Sequence, residues 1–291
     1  MPFRTMFLMN DEPYVEPLPP IMVAHLLRKV DGLLVELLRS LRADAWNRQA
    51  TPRWTVHDVA AHMLDTQLRK LSMVRDKHFP EPAREIRSQA ELVEFINGLN
   101  AEGVAYFRRL SPEVLINLIE TASEASASFH ESLDPMADAT FAVSWAGEQV
   151  SKNWFDTARE LTERWHHQQQ IREAVGRPGI MTRELYHPVL DCFLRAMPHH
   201  YREVLRSEGT ALRVQIKGDC GGTWMLLRTG GGWALTAVAA REPSAEIAIP
   251  QEIAWKVFTK GVDRAHARAL CAISGDEDLA AHLLTLTAIV G

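Results

Sequence analysis

The hydrophobic period changes once along this chain, close to Gly179, and that change restricts the folds open to it. Before it, apolar residues recur at helical spacing. Val23, Leu26, Leu27, Val30, Leu33, Leu34, Leu37, Leu38 and Leu41 make one stripe between Ile21 and about Asp44. Four more helices are expected: Thr55 to about Lys77, Gln89 to Leu110, Pro112 to Ser132, and Ser151 to Val175. Thr55 with Asp58 three residues later resembles a capping box, and Gly176 with Pro178 stops the last helix. Pro13, Pro17, Pro19 and Pro20 make the residues ahead of the first helix an extended lead-in. The Ala/Ser-rich interior of the Pro112 helix carries little information, and Asp138 to Gly147 reads as extended.

After Gly179 a single helix from Thr182 to about Leu205 gives way to strand signals. Leu212–Ile216 alternates, and Thr223–Arg228 and Trp233–Val238 flank Gly230–Gly232, which reads as a hairpin turn. Trp224 and Trp233 are expected to pack on that sheet. Ala245–Ile249 is a fourth strand, Pro250 begins a helix to about Thr259, and Ser274–Leu279 opens a last helix with an acidic first turn. Helices first, then strands mixed with helices, give an α+β fold in two parts. The expected domains are a helical bundle over 1–180 and a smaller α+β domain over 181–291.

A chain of 291 residues can bury two such cores. The net charge of −5 implies no basic face, which argues against a nucleic-acid partner or an anionic membrane surface. No apolar run reaches the length of a transmembrane helix, and the N-terminal residues do not read as a signal peptide. Cys192, Cys220 and Cys271 are widely spaced and odd in number, which fits a reducing, cytoplasmic location better than a disulfide scaffold. Walker loops, dinucleotide-binding glycine motifs and nucleophile elbows are absent.

Chemistry is concentrated on two helices. Asp58, His62, Asp65 and Arg69 share one face of the first; Asp156, Glu160, Glu163, His167 and Gln170 share one face of the second. By periodicity alone these are solvated faces laced with ion pairs. Their composition points further, because His166 and His167 sit side by side where Lys or Arg would serve a solvated face as well. A carboxylate one turn before an imidazole is a donor pair for divalent zinc, nickel, manganese or iron, and His62 is the best third ligand. Spacing leaves open which of His166 and His167 partners Glu163, since both flank it. His57 is read as packing near its helix start, and His199 and His200 as surface or core filling.

The pattern Trp54, Asp58, His62, Asp65, followed by Arg159, Glu163, His167, Gln170 and Ile171, resembles the mycothiol-dependent maleylpyruvate isomerase family, a branch of the DinB-like metal-binding superfamily. The strand pairs and Ile273, Gly275, Asp276 and Leu279 resemble that family's C-terminal domain, which is similar to sterol-carrier folds. The resemblance implies an up-down four-helix bundle that binds one divalent metal, usually zinc, through His62, Glu163 and His167. It selects His167 over His166. It also implies a low-molecular-weight thiol as co-substrate, acting as a thiolate on a small electrophilic substrate, with isomerisation or S-transfer as the outcome. Arg159 would then orient Glu163, or form a plain ion pair with Glu163 or Glu160. Where the family carries a Gly-Arg pair for the substrate's carboxylates, this chain has Gly261 followed by Val262, which leaves Lys260 or Arg264 for that role. The competing functions are a non-catalytic metal-binding protein and an apolar-ligand carrier acting through the C-terminal domain. A monomer or a homodimer is expected.

Overall fold

The computed structural model describes residues 15–79, 86–237 and 242–288. The chain forms two compact units. One holds residues 20–193; the other joins 194–287 to residues 15–19. The division therefore falls after Phe193, later than the boundary expected near 180. The helix expected over 182–205 is two helices, α6 (Arg183–Leu194) and the single turn α7 (Met197–His200). α6 stays with the helical unit because Tyr186 stacks on Trp165, with ring centroids 4.2 Å apart and planes 2° from parallel. Trp165 also donates from Nε1 to the Ile180 carbonyl at 2.9 Å.

The helical unit contains α1 (Ala24–Arg39), α2 (Val56–Lys70), α3 (Gln89–Phe107), α4 (Pro112–Ser132) and α5 (Asn153–Val175). α1, α2, α4 and α5 form a four-helix bundle around Leu34, Leu38, Val59, Leu64, Leu115, Ile119 and Ile171. α3 lies outside it, against α2. Cross-helix pairs fix the directions. Arg28 bonds Glu131 and Arg39 bonds Glu120, so α1 and α4 are antiparallel. Asp58 pairs with Arg108 and Arg69 with Asn100, so α3 runs back along α2. His62 meets His167 and Lys70 meets Asp156, so α2 and α5 are antiparallel. Consecutive helices thus alternate, up and down, as expected.

Local chemistry explains the helix ends. The Thr55 hydroxyl accepts from the Asp58 amide at 3.2 Å, and the Asp58 carboxylate accepts from the Thr55 amide at 3.1 Å. That is the capping box the sequence announces. Arg108 clamps the same carboxylate from α3. Gly176 adopts φ of +66°, a conformation open to glycine, and ends α5. Where α3 crosses α2, a Cβ at Gly103 would meet the Asp65 carboxylate, so a side chain there would have to displace that group. The first helix ends at Arg39, short of Asp44, and a 3-10 turn follows at Ala43–Asn47. The region expected to be extended over 138–147 contains a 3-10 turn at Ser144–Ala146 and pairs only by an isolated bridge from Asp138 to Lys152.

A layer of polar side chains runs through the bundle interior. Asp31 of α1 pairs with Arg164 of α5 and accepts from Gln67 of α2 at 3.5 Å. Ser123 donates to Gln67 at 3.0 Å, and Arg164 donates to Ser126 at 2.7 Å. The Ala/Ser-rich segment is thus where α4 meets this buried network. Farther along α5, Lys70 bridges Asp156 at 2.6 Å and Glu160 at 3.3 Å.

The other unit is a five-stranded sheet in the order β3-β2-β1-β4-β5. β1 (Ala211–Lys217), β2 (Gly222–Thr229), β3 (Gly232–Thr236) and β4 (Ala245–Pro250) lie close to their expected places. Gly230 and Gly231 form the tight hairpin between β2 and β3. β1 pairs antiparallel with β2 and parallel with β4. The sheet buries Trp224 and Trp233. α8 (Gln251–Phe258) follows β4, then come α9 (Arg264–Leu270), β5 (Ala272–Gly275) and α10 (Glu277–His282). α9 and β5 were not expected. Ser274 and Gly275 belong to β5, and the last helix starts only after its cap, Asp276. Glu16 of the lead-in is tied to the end of β3, its carbonyl accepting from the Ala237 amide at 2.8 Å and its amide donating to the Thr236 hydroxyl at 3.2 Å. Among the described residues, no helix is long and apolar enough to cross a membrane.

Candidate metal centre

α2 and α5 bring their polar faces together. His62 on α2 is buried, and its ring meets that of His167 on α5 edge to face, with centroids 4.7 Å apart. Glu163 lies one turn before His167, with 3.6 Å between its Oε2 and the His167 Nε2. Nδ1 of His167 faces the Gln170 Oε1 at 2.9 Å, which fixes the ring so that Nε2 is directed to Glu163. One donor atom each from Glu163, His166 and His167 lie within 4.8 Å of one another. His166 is buried and uses Nδ1 on the Thr162 carbonyl of its own helix, at 2.9 Å. The Trp54 ring covers this group, 4.8 Å from His62 and 6.3 Å from His167. A tryptophan just ahead of the α2 cap thus shields the imidazoles from water on one side.

The electrostatics prepare these groups as donors. Burial drives His62 well below the ordinary 6.5, and neighbouring His167 adds to the shift. Burial likewise brings His166 down to about 4. Both rings are neutral at neutral pH, the form with a lone pair to give. Burial raises the Glu163 carboxyl, but the His167 contact, the neighbouring imidazoles and the Arg159 guanidinium outweigh it and hold the group at about 2. Glu163 is therefore an anion beside the imidazoles. The Nδ1 of His62 is fully buried and has no hydrogen-bond partner among the described residues. An orphaned buried nitrogen is costly unless a ligand engages it. Two imidazole nitrogens and a carboxylate oxygen are the donor set of a three-ligand divalent site with coordination positions left open. The residues present fit a divalent metal.

The family model for the mycothiol maleylpyruvate isomerase N-terminal domain matches residues 27–172, half of the chain and most of the helical unit. This protein belongs to that family. Two crystal structures of the mycothiol-dependent maleylpyruvate isomerase are similar to it. One is a His-to-Ala variant, 14% identical with a TM-score of 0.48; alignment covers 82% of this chain and 88% of that one. The second is 12% identical with a TM-score of 0.46 and the same coverage. No curated protein matches the chain.

The remaining residues singled out from the sequence of this maleylpyruvate isomerase family member are distributed as follows. Arg159 donates to Asp156 at 3.1 and 2.8 Å and to Glu160 at 2.6 Å, so its hydrogen bonds bypass Glu163, which it reaches by charge alone. That is closer to the plain ion pair than to an orienting bond. Lys260 follows α8 with φ of +59°, and Arg264 opens α9; both are exposed and both belong to the sheet unit. His57 packs at the start of α2, with Nε2 2.9 Å from the Leu110 carbonyl and its ring edge-on to Trp46. His200 stacks on His282, with centroids 4.4 Å apart, and ties the end of α7 to the end of α10. Pairings such as Asp31 with Arg164 carried no sequence signal, because their partners lie far apart in the chain.

Proposed function

We propose that this protein is a metal-dependent, thiol-assisted isomerase of the maleylpyruvate type, with His62, Glu163 and His167 as the metal ligands and mycothiol or a similar small thiol as co-substrate. The observation that carries the reading is the His62 ring set edge to face against His167, its buried Nδ1 without a partner among the described residues; the donor atoms gathered within 4.8 Å are those of Glu163, His166 and His167, with His62 outside that group. Membership of the family supports the thiol and the isomerisation. His62 and His167 supply nitrogens from facing helices, Glu163 supplies the anionic oxygen, and Gln170 holds the His167 ring by its Nδ1. His166 has its Nδ1 committed to the Thr162 carbonyl and buttresses His167, with ring centroids 3.9 Å apart. Trp54 excludes water from the imidazole side of the group. When bound, a divalent metal, zinc being the best match to the donors, supplies Lewis acidity and favours the thiolate form of an incoming thiol. Addition of the thiolate to a conjugated cis double bond, rotation about the resulting single bond and elimination give the trans isomer; an adduct that is kept is S-transfer.

The test is to follow loss of maleylpyruvate with mycothiol present, before and after chelation and again after zinc is restored. Turnover that needs both thiol and metal is expected. Turnover that ignores chelation, or neither isomerisation nor thiol consumption with metal and thiol in excess, would refute the proposal.

A further inference from the structure

Two guanidinium groups flank the donor cluster from within the helical unit. Arg69 stands on α2 seven residues beyond His62, and Arg159 stands on α5 four residues before Glu163. Because α2 and α5 are antiparallel, both displacements run the same way along the bundle, by about 10 Å and about 6 Å respectively. Each side chain is partly exposed, 25% for Arg69 and 22% for Arg159. Each is also held in place. Arg69 donates from Nε to Asp65 at 2.8 Å and from Nη2 to Asn100 of α3 at 2.6 Å. Arg159 uses Nε and Nη2 on Asp156 and Glu160. In both groups Nη1 makes no hydrogen bond to any described residue. Arg164 on the same helix shows the contrast. It uses both Nη atoms, on Asp31 and Ser126, and is 4% exposed, so it is closed to any ligand. The positive charges of Arg69 and Arg159 also reach the cluster, at His62 and Glu163 respectively.

We propose that Arg69 and Arg159 hold the carboxylates of a dicarboxylate substrate beside the donor cluster, through their unused Nη1 groups. The assignment rests on the thiol-dependent isomerase reading and adds to it the two residues that hold the substrate's carboxylates. Fixing a guanidinium by Nε and Nη2 leaves the Nη1 hydrogens set in a plane, ready for a carboxylate oxygen without further loss of side-chain freedom. The two groups sit on rigid helices, whereas Lys260 and Arg264 lie exposed at the start and end of a loop.

The test is binding of maleate to the metal-loaded full-length protein by titration calorimetry, with no thiol present and with dimethyl maleate as the neutral control. Maleate should bind the wild type, and Arg69→Gln and Arg159→Gln should each weaken it by about tenfold or more. Binding of dimethyl maleate and metal content should not change. Two gentler variants guard against loss of the fold. Asp65→Asn with Arg69→Gln removes that ion pair as a unit. Arg159→Lys keeps the charge near Asp156 and Glu160 and should give an intermediate loss. In turnover, KM should rise while kcat stays near the wild-type value. Equal maleate affinity in all variants, equal losses for the ester, or no maleate binding by the wild type would overturn the assignment. Intact maleate binding without thiol-dependent turnover would instead condemn the proposed reaction.

Discussion

The bundle holds two polar layers along α5, and they are finished differently. Around Asp31 the carboxylate accepts from Gln67 and Arg164, Arg164 passes on to Ser126, and Gln67 accepts from Ser123. About one turn away, the Nδ1 of His62 has no partner among the described residues, and the Glu163–His167 contact at 3.6 Å is too long for a hydrogen bond. Both layers bear the cost of taking polar groups from water. The first recovers most of it by internal pairing, although the Nε of Arg164 has no partner among the described residues, and so fixes how four helices pack. The second leaves donors unspent, and unspent buried donors are what a ligand binds. The difference is the ground on which we propose structure for one layer and metal binding for the other.

That contrast is open to attack at both ends. The largest effect should come from Arg164→Leu, which strands the Asp31 carboxylate and should cost about 3–5 kcal/mol by chemical denaturation. Metal bound per folded molecule should be unchanged; a variant equally stable but metal-free would invert the assignment of the two layers. Next in size is a pH effect at His130, which faces Thr157 on α5. Burial, helped by Lys70 and Arg164 against Glu160 and Asp156, brings it down to about 4 from 6.5. The folded ring is neutral where the unfolded one is protonated, so its contribution is full above 6.5, falls as pH drops and is lost below about 4. Asp31, raised by burial to about 6 despite Arg164, has the opposite sign: its raised value favours the folded state increasingly as pH falls from 6 towards 3.8. Comparing His130→Gln with the wild type isolates the histidine. The variant should lose less stability between pH 6.5 and pH 4, by about 3 kcal/mol. Superimposable stability profiles would show that His130 is not held neutral.

A smaller effect is expected at the approach of α3. Gly103→Ala drives a methyl into the Asp65 carboxylate and should cost about 1–3 kcal/mol, seen as a fall in Tm; no fall would mean that the helices are farther apart. The smallest is the one that separates adjacent imidazoles. His166→Ala should weaken metal binding by no more than about tenfold, as for a supporting residue, whereas His167→Ala should abolish it. Equal losses at the two positions would make His166 a ligand.

What could be read from the sequence was local. The Thr55–Asp58 box, the Gly176 stop and the Gly230–Gly231 hairpin each signal within a few residues, and all three stand in the structure. The helical spacing of Glu163 and His167 predicted a shared face, and that face meets His62. What escaped was non-local. Asp31 lies inside an apolar stripe, and Ser123 and Ser126 lie in a bland Ala/Ser run; nothing nearby in sequence reveals that they meet Arg164 and Gln67. β5 is four residues long and has too little alternation to be seen, although β4 gives it a partner. The bond that places α6 with the helical unit runs from Trp165 to Ile180, and the stack from Trp165 to Tyr186, so no composition shift at 193 marks the boundary.

The central claim is that His62, Glu163 and His167 form the metal site, and the most direct test is elemental analysis of the wild-type protein beside His62→Ala and Glu163→Ala. The account predicts one equivalent of a divalent transition metal in the wild type and its loss from both variants, which should remain folded. A wild type that takes up no metal even after reconstitution, or a His62→Ala variant that keeps its full equivalent, would contradict it.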